Sequence, residues 1–180
     1  MPPTDIKELV IEHKKLSLFA LSLLVLQLLF MFGPFVLLWG WSFTSTGFQL
    51  LLKHLIFWLV PIVILHEGLH GLVWALSVKR GYKYISFGFN REMLSPYTHC
   101  KIPMQKWQYI AGGLAPLFIT GILPAIVSFV IGNPYWYCLS MFCTWSSAGD
   151  ILSCYFLLKI PNSWKVQDHP EKLGFFLIPA

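Results

Sequence analysis

Leu50–Val78 reads LLLKHLIFWLVPIVILHEGLHGLVWALSV, and its reading decides the fold. Apart from Lys53 and His54 near its start it is apolar until His66, Glu67 and His70, and it is long enough to cross a bilayer, which takes about 20 apolar residues. Three more blocks are of that kind: about Leu16 to Trp39, Trp107 to Ile131 and Tyr135 to Leu158. The chain has 180 residues, of which 56% are hydrophobic and 12% charged, far too little polar surface for a soluble domain of this size. The sequence therefore predicts a mainly α membrane protein with four transmembrane helices, about 16–39, 50–78, 107–131 and 135–158. Gly40–Gln49, Lys79–Lys106 and Gly132-Asn133-Pro134 are the connections. The first block is too long for a cleaved signal peptide and no small-residue cleavage site follows it, so it reads as a retained anchor.

The net charge of +5 is organised. Lys7, Lys14 and Lys15 precede the first span, six Lys and Arg lie between spans two and three, and Lys159, Lys165 and Lys172 follow span four. With four spans these regions share one side, and the positive-inside rule makes that side, with both termini, cytoplasmic. The bilayer accounts for the charge without nucleic acid. Cys100, Cys138, Cys143 and Cys154 form no C-x-x-C pair and read as small buried residues.

In the cytoplasmic connection Ile85, Phe87 and Phe89 alternate with Tyr84, Ser86 and Gly88, a strand period. Asn90-Arg91-Glu92 turns the chain and Tyr97–Ile102 returns, giving a small cytoplasmic β-hairpin. Met1–Lys15 reads as an amphipathic or loosely ordered lead. Pro61 should bend the second helix. The tail after Pro161 is polar, then apolar from Leu173 to Ile178, and reads as packed against the cytoplasmic face.

His66-Glu67-Gly68-Leu69-His70 is an H-E-x-x-H. On a helix, residues four apart lie on one face, so two imidazoles can share a zinc ion while the intervening Glu reaches a water whose pKa the metal lowers toward ~7. Chance alone gives the pattern in about one sequence of this composition in two hundred. Inside a membrane helix these three polar side chains are costly without a partner.

A catalytic zinc takes a third protein ligand and keeps an open position. Among the eight acidic residues only Glu67 and Asp150 lie inside the predicted spans. His70 stands nine residues before Lys79, and Asp150 nine before Lys159. Each is thus roughly 13 Å along its helix from the cytoplasmic end. The two share a level, which makes Asp150 the candidate third ligand. A proton, another side chain or a water cavity are its alternative partners. The small residues around it and around His70 let the helices approach closely. His99 is a candidate for steadying an oxyanion or for an extra ligand, and more simply an interfacial side chain. His54 lies far from the site, and Asp168 and His169 are candidates for gating it, and more simply a turn before Pro170.

These residues resemble the family of membrane zincin peptidases, long catalogued as a domain of unknown function. The likeness runs from span two to the tail. It rests on His66-Glu67-Gly68-Leu69-His70-Gly71, Ser86–Phe89, Pro96-Tyr97-Thr98-His99, Gly113-Leu114-Ala115-Pro116, Ser147-Ala148-Gly149-Asp150 and the segment containing Asp168. More distantly, the plan is similar to the site-two group of intramembrane metalloproteases, whose H-E-x-x-H is completed by an Asp from a later span. The resemblance implies His66, His70 and Asp150 as zinc ligands and Glu67 as catalytic base, in one metallopeptidase domain over residues 1–180. Asp150 is followed by Ile151 where the site-two group carries Asp-Gly. The expectation is a zinc-dependent protease in a cell membrane of bacterial type, acting on peptide or membrane-protein substrates, with lipid as its surroundings. The alternatives are a non-proteolytic zinc sensor or scaffold, which keeps zinc without Glu67-dependent cleavage, and a small metal or proton transporter.

Overall fold

In a computed structural model, residues 6–90, 95–169 and 172–179 are described. The chain is mostly helical, with a four-stranded sheet and a two-stranded hairpin at one end of the helices. Among the described residues three helices are long and apolar enough to cross a membrane: α1 His13–Trp39, α2 Trp41–Ser77 and α3 Lys106–Ile131. Large apolar side chains line their outer faces; Leu37 is 88% and Ile56 89% exposed, as lipid-facing residues are.

The fourth block differs from the single span read from the sequence. It consists of α4 Pro134–Ser146 and α5 Ala148–Leu158, separated at Ser147. Ser147 leaves helical geometry, with ψ near 10°, and its N–H and hydroxyl both turn back to the Cys143 carbonyl. Hydropathy does not register such a break, because both halves are apolar. The break puts Asp150 in the first turn of a new helix, whose N-terminal N–H groups favour a carboxylate.

The connection read from Gly40 to Gln49 is a single residue. Gly40 adopts φ 87°, a left-handed conformation that suits glycine, and α2 starts at Trp41. The hydroxyl-rich segment after it, which resembles a loop by composition, is helical, and Thr44, Ser45 and Thr46 satisfy their hydroxyls on carbonyls of the preceding turn. α2 continues through Pro61 without a break. α1 and α3 instead each carry a wider π turn, Leu28–Phe32 and Leu117–Ile122. Both end just ahead of a proline, Pro34 and Pro124, whose missing N–H interrupts the regular ladder.

The strands are β1 Lys7–Val10, β2 Ile85–Asn90, β3 Ser95–Cys100, β4 Met104–Gln105, β5 Lys165–Asp168 and β6 Gly174–Ile178. β2 and β3 form the antiparallel hairpin, pairing Ile85 with Cys100 and Phe87 with Thr98. The turn read at Asn90-Arg91-Glu92 lies mostly outside the described residues. Lys7–Val10 of the N-terminal lead and Lys165–Asp168 and Gly174–Ile178 of the tail are strands: the sheet order is β1-β6-β5-β4, all antiparallel. Four- and five-residue strands with mixed polarity are too short to announce their partners.

Two apolar clusters matter for the site. One joins Trp74 of α2, Tyr109 and Ile110 of α3, Leu152 and Leu157 of α5 and Val166, Phe175 and Leu177 of the sheet. The other packs Leu51 and Ile62 of α2 on Cys138, Leu139 and Cys143 of α4. All four cysteines are buried and unpaired. The first cluster clamps α2, α3 and α5 together at the level of His70 and Asp150.

Candidate metal centre

His66 and His70 lie one turn apart on α2, and α5 brings Asp150 to both. The Nε2 atoms of the two imidazoles are 3.2 Å apart. Asp150 Oδ2 is 3.2 Å from His66 Nε2 and Oδ1 is 3.4 Å from His70 Nε2. These three residues form the one cluster of metal-ligand type found among the described residues.

The donor chemistry fits a bound cation. His70 Nδ1–H donates to the Gly112 carbonyl at 2.9 Å, which in the neutral tautomer leaves Nε2 as the atom able to ligate toward the cluster. A second imidazole and a carboxylate face that lone pair. Tetrahedral ligands at ~2.0–2.1 Å from zinc stand ~3.3–3.4 Å from each other, close to the spacing these atoms have without an ion.

Small residues on α3 make the approach possible. Gly112 faces Trp74, and a Cβ there would overlap the indole. Trp74 in turn stacks on His70, with ring centroids 5.4 Å apart, and donates its indole N–H to the Tyr109 carbonyl. A Cβ on Gly113 would stand 3.1 Å from Cys154 Sγ, one turn beyond Asp150. The hairpin seats on α2 in the same way, with Ile85 and Phe87 over Gly71.

Glu67 is held from the hairpin. The Thr98 hydroxyl lies 2.8 Å from Glu67 Oε2 and 2.8 Å from the Glu67 carbonyl. With one proton it serves one acceptor at a time, and the carboxylate makes the stronger bond. A cavity of ≈ 240 Å³ opens beside these groups, with Glu67, His70 and Asp150 on one wall and β3, Tyr109 and Asp168 on the others.

The structure thus gathers all four residues singled out for chemistry: His66, Glu67, His70 and Asp150. His99 lines the same cavity, with its Nδ1 3.7 Å from Asp168 Oδ2. His54 is remote from it, against Tyr135. Asp168 is no simple turn residue. At the end of β5 it is 9% exposed, accepts the Cys100 N–H at 2.8 Å and is hydrogen-bonded by the Tyr109 hydroxyl. Burial pushes its carboxyl above the usual value, against the lowering effect of those two donors. His169 pairs with Glu8 of β1 at 3.1 Å. A strand period over Lys165–Asp168, with Val166 and Asp168 on one face, is the signal that could have found Asp168.

The model of a family described as "Putative zincin peptidase" matches residues 59–164, more than half of the chain. The chain belongs to that zincin peptidase family. The match takes in α2 from before Pro61, the hairpin, α3, α4 and α5, and so every residue of the cluster. A curated protein of Pyrococcus woesei, the "Uncharacterized 24.7 kDa protein in gap 5'region", is 31% identical over 129 residues, 71% of this chain. The aligned region is 56% of that protein, so the zincin chain spans about half the length of the curated relative it matches. No solved structure matches.

Proposed function

We propose that this zincin is a membrane-embedded zinc peptidase that hydrolyses peptide bonds of membrane or juxtamembrane substrates. The observation that carries the reading is the meeting of three ligand side chains, with contacts of 3.2–3.4 Å between each pair, beside a glutamate that faces a cavity. His66, His70 and Asp150 would hold the ion and Glu67 is the base. When bound, zinc supplies Lewis-acid polarisation of a carbonyl and of the attacking water. Glu67 takes the proton of that water and passes it to the leaving amine, while Thr98 holds the carboxylate in place. His70 keeps its orientation through the Gly112 carbonyl and the Trp74 ring.

β3 supports a peptide as the substrate. Its edge away from β2 borders the cavity, and an extended chain pairing there would lie beside Glu67. In this reading α4 and α5 together make the fourth crossing, both termini are cytoplasmic and the hairpin and sheet lie on the cytoplasmic side, where the basic residues collect. The plan resembles the site-two group, with Asp150 supplied by a later helix.

The test uses β-casein, a chain without a stable fold, incubated with detergent-purified protein. Cleavage is expected, with loss on chelation and recovery when zinc is restored. Cleavage that survives complete removal of zinc would end the metallopeptidase reading. Bound zinc with no cleavage of β-casein or of membrane-protein peptides would leave a zinc-binding scaffold.

A further inference from the structure

The outer edge of β3 is interrupted at both ends. The Lys101 N–H bonds the Tyr84 carbonyl at 2.9 Å, which fixes the hydrogen-bonding phase of the hairpin. With the register that pairs Ser86 with His99 and Gly88 with Tyr97, the residues Tyr97, His99 and Lys101 turn their backbone groups toward the β2 side. Pro96, Thr98 and Cys100 therefore turn theirs to the opposite edge. Pro96 has no N–H to offer. The Cys100 N–H is already taken, donated to Asp168 Oδ2 at 2.8 Å. Among these three residues, Thr98 is left as the one presenting both a donor and an acceptor, and its own hydroxyl touches Glu67.

We propose that Asp168 determines which substrates fit: by occupying the Cys100 N–H it ends the pairing edge, so that an extended peptide is gripped through both backbone groups of Thr98 alone. The carboxylate stands where the next substrate carbonyl would otherwise pair, and two acceptors repel. Asp168 cannot readily move aside, because the Tyr109 hydroxyl holds its other oxygen and the β5–β6 pairing holds its backbone. The grip is short. It selects peptides extended over only a few residues around the scissile bond, such as a locally unwound segment next to a helix, and does not reward a long strand. Asp168 acts through the Cys100 N–H and is a positioning residue, not a catalytic one.

This inference rests on the peptidase reading above, and the experiment separates the two. A synthetic peptide spanning the β-casein site cut most by zinc-loaded full-length protein is remade as a series, each member carrying one thioamide, a weaker acceptor than the amide. Beyond the scissile carbonyl itself, one position is expected to matter in wild type, lowering kcat/KM by about tenfold, the size of one lost hydrogen bond. In Asp168→Ala the freed Cys100 N–H should make a second carbonyl, two residues along, equally sensitive. Asp168→Asn keeps an oxygen for Cys100 and should retain the single sensitive position. Two sensitive carbonyls two residues apart in wild type would overturn the role of Asp168, even if Asp168→Ala fails to fold. So would a folded Asp168→Ala that keeps the wild-type pattern. Absence of cleavage of both β-casein and membrane-protein peptides by zinc-loaded protein would remove the peptidase reading, and this inference with it.

Discussion

Glu67→Gln is expected to keep its zinc and lose peptide hydrolysis by about 10²–10⁴-fold, the usual contribution of a positioned general base. The substitution is nearly isosteric. Thr98 can still donate to the amide oxygen, so the side chain stays at the cavity wall. Gln cannot accept the proton of the attacking water. His66, His70 and Asp150 are untouched, so metal content should match wild type. The check is the initial rate on β-casein beside zinc measured per chain. Undiminished cleavage by a zinc-loaded Glu67→Gln protein would take Glu67 out of the mechanism.

Asp150→Ala is expected to lower zinc affinity by more than the ~10–100-fold that loss of an outer hydrogen-bonding partner costs, because it removes a direct ligand. The carboxylate uses both oxygens, one toward each histidine, and it alone brings negative charge to the three-residue cluster. Its position in the first turn of α5 tolerates alanine, so the helix should persist. Zinc titration in detergent, with circular dichroism to show that the helices remain, reads the effect. Wild-type affinity in a folded Asp150→Ala protein would make Asp150 a neighbour of the metal and not a ligand.

Much of this centre was legible in the sequence, for physical reasons. The four-residue spacing of His66 and His70 on an apolar helix, together with the cost of burying Glu67, leaves few readings. The common depth of His70 and Asp150 follows from counting back to Lys79 and Lys159, and the structure has their side chains 3.4 Å apart. The hairpin was legible because alternation over Ile85–Phe89 is strand-like and helix-unlike. What escaped leaves little mark on hydropathy or composition. The break at Ser147 leaves hydropathy unchanged. At the helical start of α2 the hydroxyls bond backwards within one turn, in a segment that composition reads as loop. The sheet that carries Asp168 joins residue 7 to residue 177, and strands so short and so far apart in sequence carry no local mark of one another. From the sequence Asp168 therefore reads as a gating candidate or, more simply, a turn residue, and its place in the wall of the cavity shows only in the structure.

The central claim is that His66, His70 and Asp150 hold zinc together, and X-ray absorption at the zinc edge of detergent-purified wild-type protein tests it most directly. Two imidazoles and a carboxylate predict nitrogen and oxygen scatterers alone at ~2.0–2.2 Å, with the multiple-scattering pattern of histidine. Sulfur at ~2.3 Å, which would bring in a cysteine such as Cys154, or protein that takes up no zinc after resupply, would contradict it.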